Sequence, residues 1–74
     1  MSFDQAKIVA VIPRSDREEV RVAISDYRGK LRCDLRCWYI DGAGEYRPGR
    51  QGIGFPVDQL PAVLAAIQKA MAQS

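Results

Sequence analysis

The chain contains no histidine, only two cysteines, a single tryptophan and no long apolar run. Histidine is the commonest general base in enzymes, and the carboxylates of this chain are scattered rather than paired, so the sequence gives catalysis little support. A zinc site needs histidines or a second cysteine pair, and a membrane-spanning helix needs about 20 apolar residues. We therefore expect a protein that is not an enzyme, uses no metal or cofactor and does not enter a membrane.

The two cysteines, Cys33 and Cys37, fall on one predicted strand. A strand that rises ~3.3 Å per residue separates them by roughly 13 Å, whereas a disulfide needs Cα atoms within about 7 Å of each other. We expect two free thiols that pack as small buried side chains. Free cysteines and an N-terminus without a secretory signal favour the cytoplasm, with nucleoid association in a bacterium or a nuclear location in a eukaryote.

A length of 74 residues allows one domain. A domain of this size buries only about 60% of the surface that its unfolded chain exposes, and a partner subunit is a usual support for such a small core. We therefore expect a homodimer. The net charge of +2 identifies no partner by itself, but ten of the eleven Lys and Arg residues lie between Lys7 and Arg50.

The stretch Tyr27–Asp41 alternates between two kinds of side chain. One register is apolar and the other is mostly basic, which is typical of a strand with one face on a core and the other in solvent. The apolar register comprises Leu31, Cys33, Leu35, Cys37 and Tyr39, and the basic register comprises Lys30, Arg32, Asp34, Arg36 and Trp38.

Three further stretches predict strands. Lys7–Arg14 is rich in β-branched residues, and Val20–Tyr27 alternates between apolar and polar side chains. Glu45–Phe55 contains one proline and three glycines, which indicate an edge, a bulge or a bend. Between these stretches we expect a polar connector at Ser15–Glu19 and a tight hairpin turn at Arg28–Gly29.

The last part of the chain predicts a helix. Large apolar residues recur there at helical spacing, alanines favour the helix, and Pro61 is tolerated in the first turn. The sequence therefore predicts a single α+β domain of β-β-β-β-α order. Its parts are a loose leader at residues 1–6, a four-stranded antiparallel sheet at residues 7–56 and a C-terminal helix at residues 57–73.

Three segments, DYRGK (26–30), DLRCWYID (34–41) and GEYRPGRQGI (44–53), followed by one terminal helix, resemble the transcriptional positive cofactor four (coactivator p15) family. The resemblance covers roughly Val20 to Ile67 and is to the bacterial and phage single-stranded-DNA-binding members. It implies a curved four-stranded antiparallel sheet followed by one helix, a symmetric homodimer, and channels that hold single strands by phosphate contacts and base stacking. It also implies a partner in the transcription machinery.

The resemblance points to individual nucleic-acid-binding residues. By position they are Tyr27, Arg28, Lys30, Arg36, Trp38 or Tyr39, Arg47 and Arg50, and the basic register adds Arg32. Residues 41–44, DGAG, predict a further turn. Strict alternation places Trp38 beside Arg36, whereas a bulge before the DGAG turn would present Tyr39 instead. The chain departs from the family pattern at Gln51, where a second basic residue is common, and at Cys37, which is commonly polar.

Arginine binds phosphate bidentately and aromatic rings stack on any base, so the leading hypothesis is a sequence-tolerant single-stranded-DNA-binding protein. Its role in transcription, replication or repair stays open, as does binding to RNA. The alternative from another class is a protein-interaction module that docks an acidic partner on its basic face. The simplest alternative is a solvated outer face on which Tyr27 and Trp38 merely pack.

Overall fold

The computed structural model describes residues 6–73 and contains one four-stranded antiparallel sheet, with its strands in chain order, followed by a helix. The elements are β1 (Lys7–Ser15), β2 (Glu18–Tyr27), β3 (Lys30–Ile40), β4 (Tyr46–Pro56), a 3-10 turn (Val57–Gln59) and α1 (Leu60–Ala72). The predicted order of four antiparallel strands and one C-terminal helix is confirmed. Apart from Ala6, the predicted leader lies outside the described residues.

The predicted connector Ser15–Glu19 is wrong in its extent, since only Asp16 and Arg17 form the turn between β1 and β2. Glu18 and Glu19 are charged, but they belong to β2 because their backbones pair with the end of β3. The Arg17 carbonyl also accepts a hydrogen bond from the Ile40 N–H at 2.9 Å. A strand tolerates two successive charged residues because their side chains point to opposite faces of the sheet.

The register between β2 and β3 divides the sheet into two faces and is unbroken from Glu18 to Lys30. Val22 pairs with Leu35, and Arg21 pairs with Arg36, so the alternation predicted from the sequence is confirmed. The apolar face comprises Val20, Val22, Ile24, Leu31, Cys33, Leu35, Cys37 and Tyr39. The polar face comprises Arg21, Ala23, Ser25, Arg32, Asp34, Arg36 and Trp38.

A bulge interrupts β4 opposite Cys37. Arg36 pairs with Gly52 and Trp38 pairs with Pro48, so residues 49–51 lie opposite a single residue of β3. The backbone of the bulge lies very close to β3, since a Cβ atom on Gly49 would be 2.7 Å from the Cys37 carbonyl oxygen. Only glycine allows this approach, which explains the glycine in the Pro48–Gly49 bend.

The core of the single chain is thin. Its buried apolar residues are Ala23, Cys33 and Cys37, and no large side chain among residues 6–73 is fully buried. Both cysteines are free and buried, as predicted, and burial, followed by the adjacent Asp34 charge, raises the pKa of the Cys33 thiol. Pro61 lies in the first turn of α1, also as predicted.

An open apolar groove of about 610 Å³ runs between the apolar face of the sheet and α1. Leu35 lines it on the sheet side and Leu60 on the helix side. Leu64 and Ile67 also line the groove, yet about half of each side chain's surface is exposed. Within the described part of the chain, no helix has the length and apolar character needed to cross a bilayer.

Candidate nucleic-acid interface

The turn between β2 and β3 presents an aromatic ring and a cation at the tip of the hairpin. Arg28 and Gly29 both have positive φ, at 54° and 80°, which is the geometry of a two-residue type I′ turn. The Asp26 carboxylate stabilises this turn by accepting a hydrogen bond from the Gly29 N–H at 2.9 Å. The Arg28 guanidinium lies over the Tyr27 ring, 5.3 Å from its centroid. The predicted turn therefore positions two predicted site residues as one exposed pair.

A recess of about 460 Å³ lies beside this turn, and four predicted site residues line it: Tyr27, Arg28, Lys30 and Arg32. We call it the hairpin recess. Asp58 also lines it, but none of its three cations forms an ion pair with any residue in the range 6–73. The recess therefore offers an exposed ring together with guanidinium and ammonium groups whose charge is not neutralised by a direct partner.

The centre of the polar face differs from the hairpin recess, because its cation, Arg21, already has partners within the protein. Its Nε lies 2.6 Å from a Glu19 carboxylate oxygen, and its guanidinium stacks 4.2 Å from the Trp38 ring centroid and 5.1 Å from that of Tyr46. Partial burial, together with the charge of Glu19 and a hydrogen bond to it, raises the pKa of the Tyr46 hydroxyl. Trp38 lies on the polar face, as alternation predicted, and the Arg21 guanidinium covers its ring.

Arg36 is also held within the protein. It forms a two-pronged ion pair with Asp34, with both N–O distances at 3.2 Å, and its Nη1 donates to the Gly49 carbonyl at 2.9 Å. A Cβ atom on Gly52 would lie 2.6 Å from the Arg36 guanidinium carbon, so glycine there leaves room for this side chain. Arg36 thus ties β3 to the β4 bulge, a role that its place in the basic register did not predict.

Arg47 lies at the turn between β3 and β4, where the Asp41 carboxylate accepts three hydrogen bonds. It accepts from Arg47 Nε at 2.8 Å and from the backbone N–H groups of Ala43 and Glu45 at 2.8 and 3.1 Å. The bond from Arg47, followed by the two backbone bonds, lowers the pKa of Asp41 to about 2. Arg47 is nevertheless more than half exposed.

Tyr39 lies on the opposite face from Trp38, because the irregularity near the DGAG turn is in β4 and not in β3. The residue is 45% exposed. It lines a depression of about 210 Å³ on the apolar face, which we call the concave depression. The residues lining this depression are Glu18, Cys37, Tyr39, Gly49, Arg50 and Gln51. Tyr39 and Arg50, both predicted site residues, are therefore brought together at the end of β3 away from the hairpin recess.

Sequence reasoning missed one cation at this depression. Arg14 of β1 donates from Nη1 to the Gln51 side chain at 3.4 Å and to the Cys37 sulfur at 3.5 Å. Strands β1 and β4 are the two edges of the sheet, so a side-chain contact between them requires the sheet to be strongly curved. No local pattern could have revealed this contact, since 37 residues separate its partners.

Comparison with known proteins agrees with this architecture. The sequence model described as Transcriptional Coactivator p15 (PC4) matches residues 15–66. BPSL1147, a PC4 homolog from Burkholderia pseudomallei, is 27% identical, with 100% of each chain covered and a TM-score of 0.88. MoSub1, whose structure was solved as a complex with DNA, is 32% identical over 97% of this chain and 84% of its own, with a TM-score of 0.62.

A bacteriophage T5 homolog of the eukaryotic coactivator PC4, implicated in recombination-dependent DNA replication, shares the fold. It is 23% identical over 92% of this chain and 78% of its own, with a TM-score of 0.74. The family match spans well over half of the chain, from the end of β1 into α1. The chain therefore belongs to the transcriptional coactivator p15 (PC4) family.

Proposed function

We propose that this protein binds single-stranded DNA with little sequence preference and acts as a homodimer. One observation carries the proposal: each end of the β2–β3 hairpin pairs an exposed tyrosine with cations that have no carboxylate partner among residues 6–73. At the turn end the ring is Tyr27, and at the other end it is Tyr39 beside Arg50. A flexible polyanion with exposed base faces fits this arrangement.

The chemistry favours single strands over duplex. A tyrosine ring stacks on a base only when that base is unpaired, and each such contact contributes about 1–3 kcal/mol with little dependence on the base. Guanidinium groups bind phosphate oxygens bidentately. RNA also has unpaired base faces and phosphate oxygens, so an RNA strand of equal length is a necessary competitor in any test.

The proposed dimer follows from the thin core. The open groove between the apolar face and α1 is almost wholly apolar in its lining, and Leu64, Ile67 and Met71 of the helix are all exposed in the single chain. Burial of apolar surface contributes about 25 cal/mol per Å², so a second copy seated on this groove would supply the missing core. A two-fold axis would also double the proposed binding surface.

Sedimentation equilibrium at micromolar concentration tests the dimer. We expect twice the mass of the 8.3 kDa chain, and Leu64→Asp should shift the protein toward monomer or weaken its fold. The matched control is Ala62→Asp, a substitution at an exposed position of the same helix. A wild-type protein of monomeric mass at this concentration would contradict the dimer.

We propose a role in transcription, or in replication or repair, without catalysis of its own. Membership of a coactivator family supports the first, and the phage relative implicated in replication supports the second. The relative solved with DNA supports nucleic acid as the partner.

Anisotropy titrations with a labelled 20-nucleotide strand test the binding proposal. We expect a single strand to bind more tightly than duplex of the same length, with log K falling by about 0.7 per contacted phosphate for each tenfold increase in salt. A poly-glutamate peptide, which has charge but no bases, should compete poorly. Equal or tighter binding of duplex, or no binding to single strands at low salt, would overturn the proposal.

A further inference from the structure

The side chain of Arg14 crosses the concave side of the sheet. It starts on β1, passes over Cys37 of β3 at 3.5 Å and reaches the side chain of Gln51 in the β4 bulge at 3.4 Å. Its guanidinium therefore lies at the edge of the concave depression, which Cys37 and Gln51 line together with Tyr39. A strand entering this depression would meet Arg14.

The present partners of Arg14 are weak ones. Both are neutral, the bond to Gln51 is longer than the 2.7–3.2 Å typical of an N–H···O bond, and sulfur is a poor acceptor. Arg14 is exposed, and no ion pair joins it to a carboxylate within residues 6–73. Because charge-assisted bonds to an oxyanion are about twice as strong as neutral ones, a phosphate would replace these contacts at a net gain.

The surroundings determine which side of the depression suits a phosphate. Arg50 and Gln51 lie on the β4 side. Glu18 lies on the other side, with a carboxylate oxygen 3.7 Å from the Cys37 sulfur. Repulsion by Glu18 disfavours an anion near β2, so the phosphate position that remains is the one at Gln51, where Arg14 already points.

We propose that Arg14 is a phosphate-binding residue of this protein, supplied by β1, which holds a backbone phosphate at Gln51 while the neighbouring base stacks on Tyr39. This inference rests on the proposed function and adds a contact from the first strand, outside the segments that carry the family resemblance. It assigns a role to the end of β1, which brings a cation to a bulge whose own residue 51 is neutral.

The test separates charge from structure with two substitutions. Arg14→Gln keeps a long side chain with N–H donors but removes the charge, whereas Arg14→Lys keeps the charge. We expect Arg14→Gln to weaken binding of the labelled 20-nucleotide strand by about tenfold, the effect of one lost charge-assisted bond, and to reduce the salt slope by about 0.7. Arg14→Lys should keep most of that slope.

The matched control is Arg17→Gln, which removes the same charge from the exposed turn next to β2. Arg17 does not line the concave depression, so at 0.15 M salt its screened charge should change affinity by about twofold at most. Adding Gln51→Lys to Arg14→Gln should restore the salt slope, because it returns a cation to the same position.

The outcomes are distinct. If the wild type binds single strands and Arg14→Gln behaves like Arg17→Gln, only the role of Arg14 is overturned. If Arg14→Gln and Arg14→Lys lose affinity equally and both lower the midpoint of urea unfolding, Arg14 has a structural role and the inference also fails. If the wild type binds no single strand at low salt, the proposed function fails together with the role of Arg14.

Discussion

The arginines of the predicted interface fall into two groups that differ in their partners. The members of one group each have a carboxylate within ion-pair distance, and those of the other have none among residues 6–73. The paired group comprises Arg21, Arg36 and Arg47, and the unpaired group comprises Arg28, Arg32 and Arg50. The unpaired arginines lie in the two recesses that contain exposed tyrosines, whereas the paired ones hold the polar face and the β3–β4 turn together.

A basic register in a sequence shows how many cations a strand carries, but not which of them are available to a ligand. Residues two apart on a strand share a face, so a carboxylate two positions before an arginine is a local signal that the arginine is occupied. Glu19 before Arg21 and Asp34 before Arg36 both follow this rule. Within a strand, this signal separates an arginine that has a carboxylate partner from one that has none. Arg28 follows Asp26 by two residues but lies in the β2–β3 turn, where the rule does not apply.

The largest effect that we predict concerns Arg36 against Arg32, which lie equally far from Asp34 on the same strand. Arg36→Ala should lower the free energy of unfolding by about 3 kcal/mol, because the buried Asp34 carboxylate and the Gly49 carbonyl lose their donor. Arg32→Ala should cost less than about 1 kcal/mol, since no described carboxylate depends on it. Urea unfolding at one fixed protein concentration measures both.

Single-strand affinity should show the reverse order for these two variants. Arg32→Ala should weaken binding with its fold intact, and the remaining folded fraction of Arg36→Ala should bind nearly as well as the wild type. Equal unfolding energies for the two variants would show that the division into paired and unpaired arginines has no energetic meaning.

The second prediction concerns the β4 bulge that receives Arg36. Gly49→Ala should destabilise the fold by about 2 kcal/mol, because its Cβ would overlap the Cys37 carbonyl oxygen and the bulge must shift. Gly42→Ala is the matched control, since a Cβ there meets nothing within 4 Å. Thermal unfolding of the two variants checks this, and a similar melting temperature for both would refute the close approach at the bulge.

The third prediction concerns Tyr27, the exposed ring beside the unpaired arginines of the hairpin recess. Tyr27→Ala should weaken single-strand binding by about tenfold, the loss of one stacked base, with little change in stability because the ring is exposed. Tyr27→Phe keeps the stacking surface and should bind within about twofold of the wild type. Anisotropy titrations distinguish the two, and an equal loss in both variants would point to the hydroxyl and not to stacking.

The smallest effect should come from Asp41, the carboxylate partner of the exposed Arg47. Its folded-state pKa of about 2 lies below the ordinary value of 3.8, so ionised Asp41 stabilises the fold above pH 3.8 and that contribution is lost as the pH falls toward 2. Asp41→Asn should flatten this part of the stability profile. Urea unfolding between pH 4.5 and 2 measures it, with Asp16→Asn, in the exposed β1–β2 turn, as the control.

Much of the fold could be predicted because the signals are local. Alternation on β2 and β3, the Arg28–Gly29 turn and the helical period after Pro61 each depend on neighbours within a few residues. The extent of the Ser15–Glu19 connector was mispredicted, because whether charged residues join a strand depends on pairing with a distant partner. Here the pairing partner is the end of β3, some 20 residues away along the chain.

The sequence by itself determined the element order, the two faces of the sheet and the set of cations and rings that those faces carry. Only the tertiary structure decided which partner each took, because partners are chosen by distance in space. Asp34 lies two residues from both Arg32 and Arg36, and the β4 bulge selects Arg36 by offering it the Gly49 carbonyl as well. Curvature of the sheet likewise brought Arg14 to Gln51, a contact between opposite edges that no spacing along the chain contains.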